Sequence, residues 1–276
     1  AGASDMSGWL LLGLPGALYA AGLVEAWIGI GLFVGAVLNW TIVAPRLREQ
    51  TERLGNALTI PEFMANRFPS RAVALRVVSA IVIVVFFMVY SAAGLVGGGK
   101  LFESTFIDTQ VMGLSPYMAG VLLTALVVLA YTMVGGFLAV SLTDFVQGVI
   151  MLLALVAVPV VIFSGLPDAP LAHEPSSYLS AVEGVSALSA ASLLAWGLGD
   201  FGQPHILTRF MAARDDEAIA RGRAIGMSWM VVTLACAVSV GVLGNAYLHA
   251  SGAPLGPGTA ETVLITLTQV VFNPWV

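Results

Sequence analysis

The chain has 276 residues, of which 58% are hydrophobic and only 10% are charged. Its mean hydropathy of +0.94 lies far from that of soluble domains and indicates an integral membrane protein. We therefore expect the lipid bilayer as a partner, and not nucleic acid. The single cysteine, Cys236, excludes a disulfide framework and a cysteine-based metal cluster.

Apolar windows of about twenty residues predict seven membrane spans. They cover residues 6–20, 22–44, 76–99, 117–135, 142–163, 188–204 and 224–248. An eighth begins after Glu261. The runs are continuous, whereas the strands of a membrane β-barrel alternate apolar and polar residues. The chain lacks an initiator methionine and begins within a predicted helix, so we expect it to be a fragment.

The basic residues predict the orientation of these spans. All of them except Lys100 lie in or beside two connections, 45–75 and 205–223. The positive-inside rule places both connections in the cytoplasm. Four predicted spans separate the two connections, and an even number returns the chain to the same side. We expect a multi-pass protein of the plasma membrane, the inner membrane in a bacterium.

The first predicted span begins with the motif GASDMSGWL, residues 2–10. Asp5 is an ionisable group at membrane depth, which indicates a functional site. Serine, aspartate and glycine weaken a regular helix, so we expect a broken helix whose free backbone carbonyls can bind a small cation. An alternative role for Asp5 is to cap the helix that follows.

A second interrupted helix is predicted at residues 195–205, AWGLGDFGQPH, which contain three glycines, Asp200 and Pro204. Two broken segments at matching positions of inverted halves indicate the central site of a transporter. Trp9 and Trp196 each lie four residues from an aspartate, so each pair shares a face where the helix persists. The alternative is that the glycines permit close helix packing and the proline only kinks the chain.

Three further positions have open interpretations. Thr59, followed by Pro61 and Glu62, has the pattern of a short capped helix in the first connection. Tyr90 ends an apolar run and suits either a ligand-facing position or the aromatic belt at the membrane interface. Asp144, near the cytoplasmic end of the fifth predicted helix, could cap that helix.

Four motifs resemble the sodium:solute symporter family, and most closely its sodium/proline symporters. They are residues 2–10, 101–104, 135–144 and 196–205. The resemblance implies an all-α membrane protein, a helical bundle of the five-plus-five inverted-repeat transporter type that is truncated at both ends. Residues 1–163 would form the first repeat, 164–187 an extracytoplasmic loop and 188–276 part of the second repeat.

The resemblance also implies cation positions. The backbone carbonyls of Ala3 and Met6 would bind sodium together with oxygens from a later helix that lies beyond this chain. Asp5 is implied in sodium coupling, and Asp144 in a second cation position. Sodium is a hard cation and prefers such oxygen ligands. Sodium would be a coupling ion and not a resident cofactor.

For the substrate, the resemblance points to one set of residues. They are Ser7, Trp9, Tyr90, Trp196 and Asp200. At Asp200 the chain departs from the family pattern, because proline symporters usually have an aromatic residue there, typically tyrosine. Since a buried unpaired carboxylate costs several kcal/mol, Asp200 requires a cationic partner.

The function that these features indicate is sodium-coupled symport of a small solute by alternating access, with L-proline the favoured substrate. No catalytic residue is expected. The alternatives are another family substrate, such as pantothenate, a sugar or a monocarboxylate, and the membrane domain of a sensor with a kinase. A haem enzyme is disfavoured, since His173, His205 and His249 provide no pair of axial ligands inside the bundle.

Overall fold

The computed structural model describes residues 2–105, 110, 113–164, 171, 174–256 and 258–272, and these ranges are dominated by helices. The helices are α1 (Gly2–Met6), α2 (Gly13–Ala21), α3 (Ala26–Leu38), α4 (Ala44–Arg53), α5 (Ile60–Arg67), α6 (Ala72–Thr105), α7 (Pro116–Phe163), α8 (Ala187–Leu194), α9 (Pro204–Met211), α10 (Asp216–Ala250) and α11 (Val263–Val271). The predicted all-α membrane fold is confirmed. His173, considered above as a haem ligand, lies outside the described residues, as does the segment 273–276.

Within the part of the chain that the structure describes, four helical stretches are long and apolar enough to cross a membrane. They are Leu23–Arg53, Pro69–Thr105, Pro116–Phe163 and Asp216–Ala250. Between them they contain five of the seven predicted spans. The other two, 6–20 and 188–204, are the interrupted helices, whose continuous pieces are shorter than a span. Residues after Glu261 form α11, as predicted.

Helix α7 contains two predicted spans, 117–135 and 142–163, without a loop between them. Its 48 residues would extend about 72 Å at 1.5 Å per residue, more than twice the hydrocarbon thickness of about 30 Å. Gly136 interrupts it with φ 53° and ψ -142°, a conformation that glycine adopts readily because it has no Cβ. The two predicted spans therefore meet at a sharp kink.

Both predicted helix breaks are confirmed. In the first, Ser7 has a positive φ of 47°, which ends α1 and starts a 3-10 turn at Gly8–Leu10. In the second, α8 changes into a 3-10 helix over Ala195–Gly202, and Gln203 is extended before α9 begins at Pro204. Pro204 occupies the first turn of α9, where its missing N–H costs no hydrogen bond.

The predicted connection 205–223 is mostly helical. Helix α9 continues to Met211 and α10 begins at Asp216, which leaves four residues between them. Hydropathy ended the span at Pro204, although a proline starts a helix more readily than it continues one. Asp215 caps α10 by accepting from the N–H of Ala218 at 2.7 Å, and its hydrogen bond with Arg214 lowers the pKa of Asp215.

The connection 45–75 contains α4 and α5 and a 3-10 turn at Pro69–Arg71. The predicted cap of α5 is confirmed, since the Thr59 hydroxyl accepts from the N–H of Glu62 at 3.4 Å. The Glu62 carboxylate in turn accepts from the N–H of Leu58 at 3.4 Å. The pair differs from a capping box in that Glu62 accepts from Leu58, the residue before the N-cap, and not from Thr59 itself.

A tyrosine in the connection before α8 fixes the end of the first interrupted helix. The Tyr178 hydroxyl donates to the carbonyl of Leu18 at 2.8 Å and lies 3.0 Å from that of Tyr19. Burial raises the pKa of Tyr178. The Tyr19 carbonyl also accepts from the Asn245 side chain on α10 at 3.0 Å. The Tyr19 carbonyl belongs to the last turn of α2, where carbonyls lack an intrahelical partner, while the Leu18 carbonyl also accepts from the N–H of Gly22 at 2.9 Å.

Glycines allow the backbone of α3 to contact the backbone of the second interrupted helix. A Cβ on Gly35 would lie 2.1 Å from the carbonyl oxygen of Gly197, and a Cβ on Gly197 would lie 2.0 Å from that of Gly31. Gly199 and Gly202 have open space around them. The packing interpretation therefore holds for Gly197 alone among the three glycines, and the close contact fixes the 3-10 helix against α3.

Candidate functional site

The two interrupted helices meet through their tryptophans. The rings of Trp9 and Trp196 stack with centroids 5.0 Å apart and planes inclined by 24°. Trp196 is 49% exposed, so this aromatic surface is accessible to a ligand. Each ring belongs to a 3-10 segment: Trp9 to Gly8–Leu10 and Trp196 to Ala195–Gly202.

Polar groups surround the break at Ser7. The Ser7 hydroxyl accepts from the N–H of Trp9 at 3.3 Å and so caps the 3-10 turn. The Tyr90 hydroxyl donates to the carbonyl of Ser4 at 3.0 Å. Tyr90 therefore lies against the first interrupted helix at Ser4, three residues before the break at Ser7. The Met6 side chain is buried in the core at 3% exposure, which leaves its backbone at the break.

The carboxyl groups of Asp5 and Asp200 face each other within hydrogen-bonding range. They line a cavity of about 20 Å³ together with Asn39, Ile206, Met227 and Met230. Asn39 donates from Nδ2 to the backbone carbonyl of Asp200 at 2.8 Å. The cavity thus lies between both interrupted helices, α3 and α10.

The expectation that Trp196 and Asp200 share a face is wrong. A 3-10 helix has three residues per turn, so positions four apart point about 120° away from each other. Trp196 is 49% exposed and Asp200 is 2% exposed. Trp9 and Asp5 are likewise separated by the break at Ser7. The structure brings the two tryptophans together and the two aspartates together, in two different places.

Asp144 forms an ion pair with Arg209. Their side chains are only 17% and 14% exposed. Arg209 also lies 3.3 Å from the Ser4 hydroxyl and donates to the carbonyl of His205. The helix-cap interpretation of Asp144 is wrong, because α7 continues on both sides of it. This ion pair joins α7, α9 and α1.

His205 lies among aromatic rings. Its ring centroid is 5.7 Å from that of Phe87 and 5.5 Å from that of Tyr90, and neither ring nitrogen has a hydrogen-bond partner. Across the described residues, no group of three or more histidine, cysteine, aspartate or glutamate side chains could hold a metal ion.

Sequence reasoning missed Asn39 and Arg209. Asn39 is a buried amide in an otherwise apolar span and begins a π-helical turn, Asn39–Val43; a polar side chain at that depth was the available signal. Arg209 was counted as a loop charge. Its partner lies 65 residues away, and no local pattern connects the two.

The architecture is that of a multi-pass membrane protein whose two interrupted helices enclose a central site, the arrangement found in secondary transporters. The sequence profile of the sodium:solute symporter family matches residues 1–276, and the chain belongs to this family. No solved structure gives a significant match.

Curated relatives support this membership. The chain is 48% identical to the high-affinity proline transporter PutP of Bacillus subtilis over 279 residues, which are 99% of this chain and 57% of that protein. It is 46% identical to the osmoregulated proline transporter OpuE of B. subtilis, covering 99% of this chain and 55% of the relative. It is also 46% identical to the sodium/proline symporter of Escherichia coli, covering 100% and 55%. The chain spans about half the length of these relatives.

Proposed function

We propose that this chain is the part of a sodium-coupled proline symporter that contains the substrate-recognition site and one wall of the sodium site. The observation that supports this most directly is the stacking of Trp9 on Trp196 across the two interrupted helices. Relatives at 46–48% identity are named as proline transporters and sodium/proline symporters. The proposed membrane is the bacterial inner membrane, with 45–75 on the cytoplasmic side.

In this proposal the substrate lies against the tryptophan pair, with Ser7 and Tyr90 beside it. Proline has an apolar ring and a charged carboxylate and amine. An indole face suits the apolar ring, while the polar groups of the interrupted backbone suit the charged ones. The Tyr90 hydroxyl, which donates to the Ser4 carbonyl, would hold the break in the shape that the substrate meets.

Sodium would bind the carbonyls of Ala3 and Met6, which belong to the last turn of α1. The last carbonyls of a helix have no intrahelical partner, and carbonyl oxygens suit a hard cation. Sodium would order the break and raise the affinity for substrate, and substrate must raise the affinity for sodium by the same factor. The residues 1–163 and 188–276 would then move relative to each other to open the opposite side.

The Asp144–Arg209 ion pair would break during this motion. It joins α7 to α9 and, through the Ser4 hydroxyl, to the helix that contains the sodium carbonyls. A contact between these three helices on the arginine-rich side would close the inward path. Its opening would accompany release into the cytoplasm.

Replacing Trp9 by alanine is expected to raise the KM for proline by up to about tenfold at saturating sodium. The reason is the loss of the indole face against which the apolar ring of proline is proposed to lie, and about 1.4 kcal/mol of binding free energy corresponds to tenfold. The sodium concentration for half-maximal uptake should change less. Trp9→Phe keeps a stacking ring and serves as the matched control. Equal KM values for wild type and Trp9→Ala would contradict a substrate position on this ring.

The test of the function is uptake of labelled proline by the full reading frame in cells that lack their own proline transporters. We expect uptake that requires a sodium gradient and is abolished by a sodium ionophore. Unlabelled proline should compete, whereas pantothenate should not. Sodium-independent uptake would overturn the coupling, and failure of proline to compete would overturn the substrate.

A further inference from the structure

The cavity between Asp5 and Asp200 also contains a polar atom without a hydrogen-bond partner, the Oδ1 of Asn39. Asn39 is 1% exposed. Its Nδ2 is bonded to the Asp200 carbonyl at 2.8 Å, so the amide is held with the oxygen free. A buried acceptor without a partner costs about 1–3 kcal/mol. Such a group therefore indicates that something binds it.

The ionisable residues that line the cavity indicate the charge of that ligand. Two carboxyl groups at one small cavity cannot both be ionised unless a positive charge, either a proton or a metal cation, lies between them. None of the described residues that line the cavity is basic. Arg209, on the neighbouring α9, is bound to Asp144 and does not neutralise the pair. The cavity therefore requires a cation.

Size and donor type narrow the choice of cation. A volume of about 20 Å³ holds one water-sized occupant, since one water needs about 10–15 Å³. Calcium needs six to eight oxygen ligands and magnesium retains several waters, so neither fits with its shell. Two carboxylates and an amide oxygen are hard ligands, which suit a small dehydrated monovalent cation.

The local backbone is also unusual at this place. Asn39 begins the π-helical turn Asn39–Val43, and π-helical turns occur mostly at functional sites. The 3-10 helix that holds Asp200 is packed on α3 through Gly35 and Gly197. The three oxygen donors are thus presented by three different segments that are held against one another.

We propose that Asp5, Asp200 and the Oδ1 of Asn39 form a sodium site, separate from the sodium position at the Ala3 and Met6 carbonyls. This inference rests on the proposed symport. A cation here connects α1, α3 and the second interrupted helix, the same two interrupted segments that hold Trp9 and Trp196. It explains a carboxylate at position 200: Asp200 provides cation binding at the opposite side from the tryptophan surface.

The experiment measures how sodium activates proline uptake by the full reading frame in proteoliposomes. Asp200→Asn and Asn39→Ala should each raise the sodium concentration for half-maximal uptake by about tenfold or more, while the KM for proline at saturating sodium stays within about twofold. Asp216→Asn and Asn66→Ala make the same substitutions at exposed positions and should leave both values unchanged. An unchanged sodium dependence in Asp200→Asn would overturn the site.

Direct binding of radioactive sodium to the purified protein, without proline, provides a second measurement. Wild type should bind one more sodium ion per protein than either variant, and a variant that elutes as aggregate is replaced by the other. If Asp200→Asn changes the pH dependence of uptake but not the sodium dependence, the cavity holds a proton and the sodium assignment is wrong. If wild-type uptake is itself independent of sodium, the proposed symport fails, and sodium binding to the purified variants still decides the site.

Discussion

Arg209→Gln is expected to destabilise the folded protein by about 3–5 kcal/mol, because it leaves the Asp144 carboxylate partly buried without its counter-charge. The two side chains are 14% and 17% exposed, so water compensates little. The substitution also removes the contact with the Ser4 hydroxyl. The measurement is thermal stability of the purified protein in detergent, followed by size-exclusion chromatography.

Two comparisons make this result specific. The double variant Asp144→Asn with Arg209→Gln removes both charges and should recover most of the loss, since the penalty comes from the unpaired charge. Arg221→Gln breaks the ion pair with Glu217, whose side chains are 65% and 69% exposed, and should change stability by at most about 1 kcal/mol. Equal effects of Arg209→Gln and Arg221→Gln would show that the buried pair contributes nothing special.

Gly35→Ala is expected to cost about 1–3 kcal/mol or more, the range for overpacking a close contact. The new Cβ would lie 2.1 Å from the Gly197 carbonyl oxygen, which is backbone and cannot rotate away. Helix α3 must then separate from the 3-10 helix that holds Trp196 and Asp200. We therefore expect lower thermal stability together with a higher KM for proline.

Gly199→Ala is the matched control for this substitution. Gly199 lies in the same 3-10 helix as Gly197, and a Cβ at Gly199 meets no atom within 4 Å. Its stability and KM should remain close to wild type. If Gly35→Ala behaves like Gly199→Ala, the two segments do not depend on their backbone contact. Gly197→Ala tests the same contact from the other side, where the Cβ would lie 2.0 Å from the Gly31 carbonyl oxygen.

Much of the fold could be predicted because its signals are local. Composition identified the membrane class, apolar windows located the spans, and the residues around Ser7 and Gln203 indicated both helix breaks. The cap at Thr59 followed from three neighbouring positions. One local prediction, the cap at Asp144, was wrong because α7 continues on both sides of this residue.

The tryptophans and aspartates of the candidate site are grouped differently in the structure than in the prediction. Sequence spacing grouped each tryptophan with the aspartate four residues away, which assumes α-helical geometry. The break at Ser7 and the 3-10 helix at Ala195–Gly202 change that geometry. As a result the tryptophans form one surface and the aspartates form another. The division of the chain into 1–163, 164–187 and 188–276 stays a prediction.

The sequence by itself determined the membrane class, the positions of the spans and the two interrupted helices, since each depends on hydrophobicity and backbone preference within about twenty residues. Only the tertiary structure decided the partners: Arg209 for Asp144, Asp200 for both Asp5 and Asn39, and Gly197 for Gly35. These contacts join positions 65 to 195 residues apart along the chain. They depend on how helices rotate and pack against one another, which no local pattern of residue types specifies.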